Sequence, residues 1–412
     1  MELGGIIRFN RKEKNMTQEL LASGICSVSY LSKVENGKLE PSEEILLLLL
    51  KRLDIEKDVI FSSQDNLIIE ELFLWYYNIR DQKYKEATQQ KDILFAKQHY
   101  FVSEKINIYF KTFSAYYYLK ENNTIDVSKL IKELLKKIEY SSNNQKYYIK
   151  KVQGLYLTKQ KKVQEAVNIF EIVIELGKIV GIIESDVLYN LSILYSRTGR
   201  LLRSTDYAKE AYYLYQKNFD ITRSMDCMVI LGINYLLLKE YHLAEEYFEK
   251  ILYSRDLSKE RRILVLHNLG VLNHKQGLFE KAISYFHESL LVKNDGNQSL
   301  KTYYLLADAH FHLQDTQKCN YYIRKGTNLA EKSKNIEYEY KFKMKVNELI
   351  EKKSDFKWIE FIRKDVLPYF EKHGDRDDYI EVMTVLGDAY YNTNLYKKAA
   401  DIYLKINVLH ST

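Results

Sequence analysis

The chain has 412 residues but only 2 prolines and 15 glycines, too few breakers for a protein of many strands and tight turns, so an all-α fold is expected. The longest apolar run, Ile45–Leu50, falls far short of the roughly 20 residues a bilayer span requires, and the N-terminus carries no apolar signal segment. A cytoplasmic protein with no membrane partner follows. The net charge of +6 is mild, and the three cysteines, Cys26, Cys227 and Cys319, have no metal-ligand spacing, which argues against disulfides and zinc.

The first element is a helix ending in Arg8, Arg11, Lys12 and Lys14, read here as surface charge that can form a one-sided basic face. Thr17 then stands where a cap is needed before Gln18 and Glu19, Gly24 breaks that helix, and Ser27 caps a second helix that stops at Asn36-Gly37. Leu20, Leu21, Ile25, Leu31 and Val34 are spaced to pack the pair, with Leu3, Ile6, Ile7 and Ile45–Leu49 closing a small core. The second helix is left exposing Val28, Ser29, Lys33 and Asn36. Short polar side chains there suit base edges, Val28 a thymine methyl, and Lys33 a guanine or a phosphate. Residues 1–61 hold nine Lys/Arg against ten Asp/Glu, so this module is about neutral and needs a dimer on a two-fold site to gain useful DNA affinity.

The stretch from Thr17 to Ser42, TQELLASGICSVSYLSKVENGKLEPS, resembles the helix-turn-helix of phage-repressor-like (XRE or Cro/C1-type) DNA-binding domains, with a turn one residue shorter than in many members. The resemblance implies that Gln18 braces the recognition helix and touches phosphate. It also implies that Val28, Ser29 and Lys33 read bases and that Asn36 and Lys38 meet phosphate; Ser27, the cap just before them, is counted in the same DNA-binding set. Domain 1–61 is therefore expected to bind a double-stranded operator.

Residues 62–67 are read as a short polar linker, and residues 68–412 as repeats. In LHNLGVLNHKQGLFEKAISYFHES, residues Leu266, Leu269, Gly270, Gly277, Ala282 and Phe286 fall at the spacing of tetratricopeptide (TPR) landmarks. A small residue near the middle of each first helix recurs at Ala115, Gly154, Ser192, Gly232, Gly270, Ala307 and Gly387, with Trp75 and Asn347 filling the gaps. These units resemble lengthened TPR hairpins. About nine of them imply a right-handed superhelix in which most of the 36 tyrosines are packing residues.

Such an array exposes the first helix of each pair on a concave face where an extended peptide can lie. Tyr189, Asn190, Arg197, Asn234, His267, Asn268, His274 and Asp308 are the candidate contacts: asparagines bond a peptide backbone at both N–H and C=O, and Arg197 suits a terminal carboxylate. Catalysis is not expected. His267 and His274 are seven residues apart, His310 and His312 point apart on a helix, and no P-loop, HExxH or GxSxG is present, so no cofactor, metal or catalytic set is assigned.

A helix-turn-helix followed by a long TPR array resembles the RRNPP group of peptide-sensing regulators of Gram-positive bacteria. The resemblance implies quorum-sensing transcription control by a short imported signalling peptide, in a homodimer formed through the TPR region. Two alternatives come with it: capture of a response regulator or other protein on the TPR surface, as Rap-type members do, and a phage lysis–lysogeny receptor of the arbitrium type.

Overall fold

The computed structural model describes residues 3–39, 41–55, 57–98, 101, 103–255, 257–292, 299–349, 355–373 and 376–411, and every regular element among them is helical. Four helices open the chain: α1 (Leu3–Glu13), α2 (Gln18–Ala22), α3 (Val28–Glu35) and α4 (Glu43–Arg52). Their core is Ile7, Leu21, Ala22, Leu31, Val34, Leu46, Leu49, Leu50 and Leu53. Leu20, Leu47 and Leu48, expected inside, are exposed instead. On a five-residue helix Leu20 lies about 100° from its buried neighbour Leu21, while Leu47 sits at the edge of the Leu46–Leu49–Leu50 stripe and Leu48 opposite it. The side chains of Leu3 and Ile6 lie outside the described residues.

Next comes α5 (Lys57–Arg80), one continuous helix. Residues 62–67, expected as a linker, lie inside it. Polar residues without glycine or proline lower helix propensity only by tenths of a kcal/mol each, about 0.7 at most, which does not break a helix of this length. The remaining helices pair as hairpins: α5 with α6 (Tyr84–Lys97), α7 (Glu104–Lys120) with α8 (Thr124–Lys137), α9 (Asn143–Lys159) with α10 (Val163–Val180), and α11 (Ser185–Arg197) with α12 (Leu201–Lys217). Then follow α13 (Ile221–Leu237) with α14 (Tyr241–Leu252), α15 (Lys259–Lys275) with α16 (Phe279–Val292), and α17 (Leu300–His312) with α18 (Thr316–Ser333). In the eighth hairpin α19 (Ile336–Leu349) faces α20 (Phe356–Phe361), a π turn (Ile362–Val366) and α21 (Leu367–His373); α22 (Arg376–Asn392) and α23 (Tyr396–Ser411) end the chain. The π turn ends two residues before Pro368, whose ring and missing N–H cannot be fitted to a regular i−4 bond. The chain divides into two compact units, Met1–Val187 and Leu188–Thr412.

Each small residue of the repeat lies on the first helix of its hairpin and is there for lack of room. A methyl group at Gly154 would come 2.9 Å from the ring of Phe170, at Gly270 2.5 Å from Phe286, and at Gly387 2.8 Å from Tyr403. The aromatic stands sixteen residues on, and a second small residue twelve on: Ala87, Val127, Ala166, Ser204, Ala244, Ala282, Cys319 and Ala399 are all buried. In the eighth hairpin the close approach has moved. There Gly326 on α18 takes the ring of Phe342 on α19, which explains why Asn347 is a weak landmark. In the first hairpins the seam is aromatic: Phe73 packs edge-on against Tyr109, Phe113 and Tyr148 with centroids 5.2–5.3 Å apart.

A methyl at Gly232 would lie 2.5 Å from the Phe248 ring. Gly→Ala in an open helix stabilises by about 1 kcal/mol, but overpacking costs about 1–3 kcal/mol, and the second effect should win here. Gly232→Ala is expected to lower the thermal midpoint followed by circular dichroism, and Gly232→Ala with Phe248→Leu to recover most of the loss.

Candidate functional site

The helix pair of the N-terminal domain is built by its caps. Thr17 Oγ1 accepts from Leu20 N at 3.2 Å, and Ser27 Oγ accepts from Tyr30 N at 3.1 Å. Gly24 and Gly37 take φ of 69° and 68°, left-handed turns that let α2 and α3 end where they do. Ser27 is thus spent as a cap. Val28, Ser29 and Lys33 are exposed on α3, with Asn36 and Lys38 exposed just beyond it.

What orients α3 is a buried ion pair. Arg11 donates to Glu35 through Nε at 2.6 Å and Nη2 at 2.8 Å, and Gln18 Nε2 donates to the same carboxylate at 2.7 Å. Three helices meet on one side chain. Burial alone would raise the Glu35 carboxyl, yet the bonds from Arg11 and Gln18 hold it below the usual range. Arg11, expected on a basic surface, is buried because it stands four residues after Ile7 on the inner stripe of α1. Lys14 is also neutralised, by Asp54 at 2.8 Å. Arg8 remains exposed and reaches Asn36 Oδ1 at 3.3 Å.

On the first-helix face of residues 188–349 the asparagine ladder does not form as expected. Asn234 is fully buried, and its Nδ2 donates to Ser204 Oγ at 2.7 Å and Thr205 Oγ1 at 3.3 Å on α12. Asn234 therefore packs hairpins together: two residues past Gly232, about 200° around α13, it points away from the Phe248 ring and onto α12 of the preceding hairpin. Asn268 spends its Nδ2 on Leu264 O at 2.8 Å within its own helix, and Asn190 already interacts inside the chain. Arg197 is exposed and Tyr189 half-buried. His267 Nδ1 lies 3.1 Å from Thr302 Oγ1.

His274 and Asp308 do come together, at 2.8 Å between Nε2 and Oδ2. Lys345 Nζ is 2.5 Å from Asp308 Oδ1 and 2.7 Å from Glu348. Burial would raise the Asp308 carboxyl, but His274 and Lys345 hold it well below the carboxylate range. Arg261 with Asp226 at 2.7 Å and Lys341 with Asp378 at 2.6 Å repeat the theme. The same pattern, at the highest burial, occurs within residues 1–187. Lys151, 1% exposed, meets Tyr76 Oη at 2.6 Å, Glu184 at 2.9 Å and Asp186 at 2.7 Å, while Tyr76 and Tyr147 also donate to Glu184. Sequence reasoning missed these pairs. Their signal was opposite charges 35 or 37 residues apart, one repeat from each other.

Comparison with known proteins fits this geometry. The helix-turn-helix family pattern matches residues 7–60. The transcriptional activator NprA of Geobacillus stearothermophilus is 28% identical over 93% of this chain and 97% of its own. This likeness supports the resemblance to regulators of the RRNPP type. Among solved structures, the apo quorum sensor NprR of B. thuringiensis superposes with a TM-score of 0.74 at 16% identity, covering 84% of this chain and 99% of that one. NprR in complex with its cognate peptide NprX gives 0.67 at 18% identity, over 84% and 99%. At such identities these two show the fold alone, a helical hairpin array over the part of the chain that they cover. Among the described residues no helix is long and apolar enough to cross a membrane.

Two predictions follow from these buried charges. Arg11→Met leaves Glu35 buried and unmatched, which should cost the N-terminal domain about 3 kcal/mol by hydrogen exchange in α3, whereas Arg11→Met with Glu35→Leu should cost far less. Asp308, whose native carboxyl is depressed, contributes stability that is complete above its unfolded value of about 3.9 and is lost as pH falls through the native value. The thermal midpoint of Asp308→Asn should therefore lie below wild type at pH 7, and the gap should close progressively as the pH drops below about 4.

Proposed function

We propose that this protein is a DNA-binding transcription regulator whose operator affinity is set by a short peptide held on the first-helix face of the repeats. The observation that carries the reading is α3: a capped helix braced from both neighbours through Glu35, with Val28, Ser29, Lys33 and Asn36 turned to solvent. Nothing in the packing of the domain uses those four side chains as core. They have the size and polarity for a major groove, and a single neutral module of this kind needs a two-fold partner to hold DNA. The peptide half is supported by the likeness to NprA along nearly the whole chain and by the fold shared with NprR, which binds its cognate peptide NprX. On this chain Arg197, Tyr189, His267 and His274 are the contacts we assign to the peptide, with Arg197 taking a carboxylate in a fork of two N–H bonds. Asn234 and the paired carboxylate of Asp308 stay structural.

Lys33→Ala is expected to weaken binding to an operator recovered by selection from random duplexes, and to weaken it more than binding to random DNA. Equal losses on both would reduce Lys33 to a phosphate contact, and no loss would remove it from the interface. For the peptide, a thermal-shift screen against synthetic peptides of about 5–10 residues, the reach of an extended chain across a few repeats, should yield a stabilising ligand. Arg197→Lys should bind that ligand more weakly than wild type, since an ammonium cannot replace the fork. Wild-type affinity in Arg197→Lys would exclude the carboxylate clamp.

A further inference from the structure

Resting on the DNA-binding reading, we propose a second nucleic-acid contact outside the helix-turn-helix: the lysine stripe of α8, which holds the phosphate backbone of duplex DNA flanking the operator. Charge bookkeeping points there first. Residues 1–61 are about neutral, whereas residues 104–162 carry 13 lysines against 5 carboxylates, an excess larger than the +6 of the whole chain. The positive potential that a duplex needs is therefore on α7, α8 and α9, in the same compact unit as the recognition helix.

The arrangement on α8 is one-sided. Lys129, Lys132 and Lys136 fall within about 60° of one another around the helix axis, opposite the buried Val127, Ile131 and Leu134. All three lysines are exposed. Among the described residues Lys132 and Lys136 have no carboxylate at ion-pair distance, and Lys129 has only Asp126 at 3.9 Å. Neighbouring lysines are treated differently: Lys111 is bound to Glu133 and Lys137 to Glu104, each at 2.7 Å. The pairing removes charge from the sides and leaves it along the stripe. Exposed Lys105 adds to the same hairpin. Ammonium groups on flexible stems carry no base-reading geometry, so the stripe fits phosphate and contributes affinity without sequence preference. Duplex DNA is favoured over an acidic protein because the chain already brings a duplex to this unit, and because a phosphate rod continues past the operator on both sides.

The test uses the full-length protein and fluorescence anisotropy on duplexes of about 20 and about 60 base pairs, selected operator and random sequence, across a salt series. Each phosphate contact adds about 0.9 to the slope of log affinity against log salt. Lys129→Gln/Lys132→Gln/Lys136→Gln should make that slope shallower by about 2–3, lower affinity for the long duplexes at least tenfold, and do so equally for operator and random DNA. A variant with the same charge loss elsewhere, Lys217→Gln/Lys259→Gln/Lys281→Gln, should keep the wild-type slope. Equal slopes in the two triple variants would overturn the proposal, and an unchanged slope together with capture of an acidic protein would give the stripe to that partner instead. Failure of the underlying reading looks different: no sequence would then be enriched by wild type, whatever the salt slope on random DNA.

Discussion

A helical hairpin cannot bury its own apolar face, and the array solves this in several repeats by removing side-chain volume at one point. Where α13 passes α14, Gly232 admits the ring of Phe248; where α15 passes α16, Gly270 admits Phe286. The small residue twelve positions on lets the backbones close around that ring. Everything else on the repeats is positioned by this contact, because it sets which side of each first helix is packed and which is left over. The fate of Asn234 follows directly: two residues from Gly232, about 200° around the helix, it turns away from Phe248 and onto α12 of the preceding hairpin.

The leftover face is not simply wet. Successive first helices are tied by charged pairs, Asp226 to Arg261, Asp308 to Lys345 and Lys341 to Asp378, and in the first unit Lys151 to Glu184 and Asp186. Buried pairs of this kind add little net stability compared with apolar packing, but breaking one partner is costly, so they favour one register of hairpin against hairpin. The Arg11–Glu35–Gln18 cluster has the same logic in the N-terminal domain, where it fixes α3 relative to α1 and α2. In both places a carboxylate with two or more donors does the orienting.

Much of this was legible in the residues. Caps at Thr17 and Ser27, the glycine stops, and the recurrence from Trp75 to Gly387 are local signals, and each matches a local structural cause. What was not legible depended on register or on distant partners. Arg11 reads as surface charge until its partner Glu35, 24 residues away, is seen beside it. Residues 62–67 read as a linker because they are polar, although polarity without a breaker does not end a helix. The asparagines looked like a ladder because composition does not say on which side of the Gly–Phe seam a side chain falls. The displaced close approach at Gly326 and Phe342 likewise hid the eighth repeat behind an unremarkable Asn347.

The central claim is that one chain joins two binding events thermodynamically, so that the affinity for peptide depends on whether operator is bound, and by the same factor in reverse. Isothermal calorimetry closes that cycle directly: peptide into free protein, peptide into the protein–operator complex, and operator into protein with and without saturating peptide. The account predicts a change of at least about fivefold in both directions, equal within error, which is the lower end of ordinary coupling energies. Identical peptide affinities with and without operator, in a protein that binds both, would contradict it.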